Sequence, residues 1–146
     1  MNFKKTVIAA ALALGLSVGT ANAAGIGYVD YNKVSTTYSL AKKYTAELDA
    51  KIVAIENYAK AQQAKANAAK TAAEKKTITD AAVKQVRAKQ KEYADTRNKR
   101  EQELTQKVVA AAEKVRISKN LDIIIKKDSR VTGGIDVTAD VLNILK

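Results

Sequence analysis

Between residues 36 and 119 the chain runs without proline or glycine, and its apolar positions recur at alternating four- and three-residue steps. One such seam passes through Leu48, Ile52, Ile55, Ala59, Gln62, Ala66, Ala69 and Ala73. A second passes through Val83, Val86, Gln90, Tyr93, Arg97, Leu104, Val108, Ala111 and Val115, broken by the polar run Asp95 to Glu103. This is the spacing of helices that pack along one stripe. The alanine, lysine, glutamine and glutamate between lose little rotamer freedom in a helix. A turn is expected at Lys76-Thr77-Ile78-Thr79, where β-branched residues interrupt an alanine run and Thr79 can cap a helix holding Asp80 near its start. Such a turn divides the stretch into arms of about 40 residues and about 60 Å each, at a rise of about 1.5 Å per residue. The pattern therefore predicts a long antiparallel helical hairpin over residues 36–119. At the far end of the first arm the seam shrinks to alanine and glutamine, so that end buries little area and should open more easily than the base.

Outside the arms the period changes. Ile26 to Asp30 alternates apolar with small or polar residues, and Leu121 to Ile125 is a β-branched run closed by Lys126, Lys127 and Asp128. Both read as strands. After a Gly133-Gly134 turn, Ile135 to Val137 can add a short strand. Thr138 then looks like an N-cap, with Asp140 in the first turn and Val141, Leu142 and Leu145 making one apolar side of a short C-terminal helix. The fold class is α+β: a hairpin arm on a small β-body formed by residues 24–35 and 120–146. Those 39 residues are near the size at which a domain needs help to fold. Without cysteine there is no disulfide to supply it, which leaves oligomerisation. The Gly25-Ile26-Gly27 pair reads as freedom at the start of a strand, not as a cofactor loop.

The first residues have the three parts of an export signal: Lys4 and Lys5, the apolar run Thr6 to Val18, and the small-residue site Ala21-Asn22-Ala23. The apolar run is short of the roughly 20 residues a membrane span needs. Residues 1–23 are thus expected to be a signal peptide cleaved between Ala23 and Ala24, leaving 24–146 as one exported domain. The net charge of +11 falls to +9 without Lys4 and Lys5. Residues 36–119 carry 19 Lys/Arg against 10 Asp/Glu, while the body carries five of each sign. Within residues 60–91, nine basic side chains face only Glu74 and Asp80, a net of +7. There is no Cys, His or Trp, so the usual metal ligands and the usual neutral-pH base are missing. Neither catalysis, a metal nor a cofactor is expected.

The candidate binding residues lie on the arms. Lys65, Lys70, Lys75, Lys76, Lys84, Arg87, Lys89 and Lys91 can steer an acidic partner toward the bend, or simply keep an alanine-rich rod soluble. The lopsided sign favours binding. Tyr38, Tyr44, Tyr58 and Tyr93, with Leu48, Ile52 and Ile55, are the larger apolar side chains available to a partner. The heptad positions of the three aliphatics favour core packing, whereas Tyr58, beside the seam, is the better contact residue. Arg97, Lys99 and Arg100 lie near Glu101 and Glu103, where ion pairing along the helix surface is expected.

Three segments in this order, Ile26-Gly27-Tyr28-Val29-Asp30, Tyr93 to Glu101, and Leu121 to Lys126 with Ile135 to Leu142, resemble the Skp/OmpH family of periplasmic chaperones over nearly the whole exported chain. The resemblance implies a homotrimer, with strands of three protomers completing the β-body and three hairpins enclosing a cavity. There unfolded outer-membrane proteins would be held without ATP. It also implies lipopolysaccharide, or another anionic membrane surface, as a second partner of the basic residues. The chain departs from the family in a short loop before Ile135 and in its alanine-rich distal arm. The rival readings are a nucleic-acid-binding module, for which a pI near 9.8 is suitable but an export signal is not, and a structural coiled-coil rod.

The signal predicts that N-terminal sequencing of the exported protein begins at Ala24. Recovery of intact residues 1–23 in the membrane fraction would contradict it.

Overall fold

The computed structural model describes residues 25–146; the expected signal and its Ala23–Ala24 cleavage site lie outside them. The elements are β1 (Ile26–Val29), α1 (Tyr31–Thr37), α2 (Ser39–Ala68), α3 (Ala72–Ser118), β2 (Ile123–Lys126), a 3-10 turn (Lys127–Ser129), β3 (Ile135–Asp136) and α4 (Thr138–Leu145). The protein is mostly helical, with one small sheet.

The sheet has the order β2-β1-β3, and all its pairings are parallel. Ile26 pairs with Ile123 and Val29 with Lys126, so the first and last parts of the described chain meet side by side. Side chains alternate across a strand. Gly27, Val29 and Ile124 face the helices, and Ile26, Tyr28, Ile123 and Ile125 face away. A Cβ on Gly27 would lie 2.8 Å from Leu121 Cδ1 and 3.1 Å from Ile124 Cγ1. Close packing, more than the backbone freedom read from the sequence, thus explains this glycine.

The core is built chiefly of valine: Val29, Val34, Val108, Val115, Val137 and Val141, joined by Ala111, Leu121 and Leu145. Val108, Ala111 and Val115 come from α3, so the lower turns of the long helix are part of the body's core. The carboxylate of Asp30 caps α1 by accepting from Lys33 N–H at 3.0 Å, and it also binds Lys127 Nζ at 2.6 Å. Thr138 is the first residue of α4, not its N-cap. Its buried hydroxyl accepts from Asp30 N–H at 2.9 Å, across 108 residues of chain. Asp136 instead receives the Thr138 N–H, at 2.9 Å.

The expected turn at Lys76–Thr79 is corrected by the structure. The chain leaves the helix at Ala69, which is extended at φ −63°, ψ 135°, and starts α3 at Thr71. Thr71 Oγ1 accepts from Glu74 N–H at 3.1 Å while Glu74 Oε2 accepts from Thr71 N–H at 3.2 Å. This reciprocal cap satisfies donors that would otherwise be open at a helix start. Thr77 and Thr79 stand inside α3 and return their hydroxyls to the carbonyls of Ala73 and Lys75, a local bond that lets threonine stay helical. The two long helices are consequently unequal, 30 and 47 residues. A second departure from unbroken helix lies at Tyr38, extended at φ −68°, ψ 124°, where α1 gives way to α2.

The cap assignment generates a test by amide hydrogen exchange. Thr71→Ala should weaken the first turn of α3 by about 1 kcal/mol, the usual cost of losing such a cap, with faster exchange confined to that turn. Thr79→Ala should leave exchange there unchanged. Equal effects of the two substitutions would count against the reciprocal cap.

Candidate functional surface of the helical arm

The contacts between α2 and α3 pair rising positions with falling ones. Tyr44 meets Glu103, Glu47 meets Arg100, Lys51 meets Glu92 and Tyr58 meets Lys89. Their chemistry changes along the arm.

Nearest the body is a half-buried ionic network. Arg100 grips Glu47 with two parallel bonds, Nε to Oε2 at 2.9 Å and Nη2 to Oε1 at 3.2 Å, and donates from Nη1 to Glu103 Oε2 at 2.9 Å. The Tyr44 hydroxyl donates to the same Glu103 oxygen at 2.8 Å, and the guanidinium lies 4.7 Å from the Tyr44 ring centre. The planar fork of arginine suits such bidentate and stacked contacts. The Arg100 bond holds the Glu47 carboxyl below its ordinary range. The Tyr44 hydroxyl, followed by Arg100, does the same for Glu103. The same Glu103 bond pushes the Tyr44 phenol upward.

The middle of the arm is tied by Lys51 and Glu92 at 2.6 Å, and by the Lys89 ammonium 5.5 Å from the centre of the Tyr58 ring. Beyond Tyr58 no side-chain ion pair or hydrogen bond joins α2 to α3 among the described residues. Several of the facing residues there are small or aliphatic, among them Ala59 and Ala66 opposite Ala82 and Val86, with the amide of Gln62 beside them.

The contact line keeps much of the expected seams, with Leu48, Ile55, Gln62, Ala66, Val86, Tyr93, Leu104, Val108, Ala111 and Val115 covered. It shifts by one residue at alternate positions, where Lys51, Tyr58 and Lys89 are covered instead of Ile52, Ala59 and Gln90. Tyr58 stands in the line, half-covered, instead of beside it. Lys89 and Arg100 fill places expected for Gln90 and Arg97, which are exposed. Ile52 and Val83, expected in the seams, are 39% and 44% exposed. Two helices cover only a narrow strip of each other, and the apolar stripe of this sequence is wider than that strip, so one edge of it stays in solvent. Arg100 does pair with Glu103 as expected. Its stronger partner Glu47, on the other helix, was missed because the polar run Asp95–Glu103 reads as an interruption of the seam. The detectable signal was the presence of Glu47 and Tyr44 on α2, a carboxylate and a hydroxyl able to partner the bases of that run.

The basic candidates divide into three groups. Lys65, Lys70, Lys75, Lys84 and Arg87 are exposed and have no ion pair among the described residues. Lys76 and Lys91 are exposed but pair along α3 with Asp80 at 2.6 Å and Asp95 at 2.7 Å. Lys89 is half-buried over Tyr58. The first five lie around the turn, at the end of the arm away from the sheet. Lys42, Lys43, Arg97, Lys99, Lys107 and Lys114, nearer the body, are exposed and have no ion pair among the described residues either. There, however, acidic residues nearly balance the bases, so +7 of the arm's +9 falls within residues 60–91. No helix among the described residues is long and apolar enough to cross a membrane. They also contain no cluster of three or more His, Cys, Asp or Glu placed to hold a metal.

The base network predicts a pH response of definite sign. Glu47 and Glu103 have lowered values when folded, so their stabilisation is complete above the ordinary glutamate value of about 4.3 and is lost as pH falls through the lower folded values. Hydrogen exchange in α2 near Glu47 should accelerate in that acid range. Arg100→Gln should produce faster exchange already at neutral pH, where Glu47 and Glu103 would repel each other uncompensated. Exchange in Arg100→Gln indistinguishable from the parent at neutral pH would show that the network does not hold the arm.

Comparison with protein-family models gave no match, and comparison with curated proteins gave none either.

Proposed function

We propose that this chain is a periplasmic holding chaperone of the Skp/OmpH type, which keeps unfolded outer-membrane proteins from aggregating without ATP and without catalysing a reaction. The observation that carries the reading is the placement of charge. A neutral body supports an arm whose base is joined by an ionic network and is nearly balanced in charge, and whose far end, residues 60–91, carries a net +7 around an alanine-rich, weakly bonded tip. A holding protein must meet many sequences with a large adaptable surface more than a pocket, and such a tip suits that task.

In this reading α2 and α3 act as one antiparallel coiled-coil tentacle, and three protomers complete the body. Support for assembly comes from the sheet. Its outward face presents Ile26 and Ile123, about half exposed, and β2 and β3 are open edges, features that proteins normally cover. Lys65, Lys70, Lys75, Lys84 and Arg87 would draw acidic clients toward the arms, with Lys76, Lys89 and Lys91 adding to the field. An anionic lipid surface such as lipopolysaccharide would meet the same residues. A nucleic acid is not the proposed partner, because the export signal would separate the two.

The test is light scattering of a urea-denatured, acidic outer-membrane protein diluted into buffer with or without the processed chain. Suppressed aggregation is expected, and none at equimolar trimer would overturn the proposal. Reversing Lys65, Lys70, Lys75, Lys84 and Arg87 to Glu takes residues 60–91 from +7 to −3, since each reversal subtracts two. The variant should capture client about tenfold or more slowly at low salt, the scale of electrostatic steering, with helix content unchanged because exposed charges contribute little to folding. Salt should slow the parent but not the variant, since screening acts within about 8 Å at physiological ionic strength.

A further inference from the structure

The exposed edge of the apolar stripe opens into a groove on one side of the distal arm. It has a volume of about 330 Å³ and is lined by buried Ala66 and partly covered Ala82, Val86 and Gln62, with Ala59, Gln90 and Arg87 exposed at its rim. The floor is low because alanine faces alanine where the base of the arm places Tyr44 and Leu48. We propose that this groove is a subsite for an extended, unfolded polypeptide segment, taking its aliphatic side chains on the floor and an adjacent acidic side chain at Arg87. The proposal rests on the chaperone reading and names where and how the arm would hold its client.

The occupant follows from charge and from polar chemistry. Residues 57–91 contain only two carboxylates, and both are engaged: Glu74 in the reciprocal cap with Thr71, and Asp80 with Lys76. Arg87 is thus left without an anionic partner among the described residues. A second copy of the arm is a poor occupant, because residues 36–119 carry +9 and would repel another such arm. Gln62 and Gln90 make no side-chain hydrogen bonds among the described residues. Each offers both a carbonyl and an amide, which matches a peptide backbone. An acyl chain would bury those groups without partners, at a cost. The volume is within the range of sites that enclose small ligands, enough for a short stretch of side chains and not for a folded domain.

The groove can be filled without touching the base of the arm, since Ala59 is exposed. Ala59→Phe places a ring across the groove from its rim. Ala61→Phe, two residues on and about 200° around the helix, is outside the groove and serves as the control, with circular dichroism confirming the helix content of both. The probes are two fluorescent peptides with the same aliphatic centre, one flanked by Glu and one by Gln, titrated into the processed full chain. Ala59→Phe should weaken the Glu-flanked peptide by about tenfold, the scale expected when one aliphatic side chain loses its burial, and Ala61→Phe should not. Arg87→Gln should abolish the preference for the Glu-flanked peptide over the Gln-flanked one.

Equal binding by the parent and Ala59→Phe, or no peptide binding by the parent, would overturn the subsite. So would a result in which Ala59→Phe loses affinity for anionic phospholipid vesicles but not for the peptides, which would assign the groove to lipid. The aggregation assay on the same samples separates the two levels. A parent that holds denatured client while Ala59→Phe binds peptide as the parent does loses only the groove, whereas a parent that holds no client loses the chaperone reading.

Discussion

The parallel pairing of Ile26–Val29 with Ile123–Lys126 is the constraint on which the rest of the structure depends. Parallel neighbours cannot be joined by a tight turn, and the chain that leaves β1 after Val29 must cross the length of the sheet to enter β2 from the opposite end, at Ile123. Here the return journey is the arm itself. Whatever climbs through α1 and α2 has to descend through α3, and it must arrive in register with β1. The reciprocal cap at Thr71 and Glu74 sets where the climb ends. The descent is longer than α2 because α3 passes beyond the arm and supplies Val108, Ala111 and Val115 to the body. The arm and body are thus mechanically continuous: one helix is seam at its upper end and core at its lower end.

That continuity orders the arm energetically. At the base, Arg100 binds two carboxylates and a tyrosine ring while the valine core holds the lower turns of α3. In the middle, one ion pair and one lysine over a ring join the helices. At the far end the contact is mostly alanine, with Gln62 and Val86 beside it, and an alanine seam buries little apolar area per turn. Local stability is expected to decline in the same direction. The net positive charge, +7 within residues 60–91, is concentrated where the helices are least tightly joined, so the arm combines a fixed root with an adaptable, charged end.

Much of this was legible in the sequence. The helical stretch, the two principal strands and the short closing helix follow from changes in the period of apolar residues, and they stand within a few residues of where those changes fall. The turn was not, because its signal is Thr71 and Glu74 set in an alanine-rich run, while the more conspicuous β-branched cluster at Thr77–Thr79 tolerates the helix by back-bonding. The role of Thr138 was hidden for a different reason. Its hydroxyl serves Asp30, 108 residues away, and no local pattern reports such a partner. Of the surface residues, the basic set around the turn could be read from spacing and sign. Which of them are already engaged could not, since that depends on Asp80, Asp95 and the ring of Tyr58.

The phase of the seam is the most instructive difference. A stripe of apolar residues on a helix fixes which side is buried only when the partner is wide enough to cover it. One helix is a narrow partner, and the ion pairs Arg100–Glu47 and Lys51–Glu92 flank a line of covered residues that includes Leu48, Ile55, Ala66, Val86, Tyr93 and Leu104. The consequence is that Ile52 and Val83 remain partly in water although the sequence pattern assigns them to an interface. An apolar edge that lies outside that line is a surface kept available. Val83 lines the groove with Ala59 and Ala82, and glutamines and Arg87 around it keep that apolar surface in contact with polar groups.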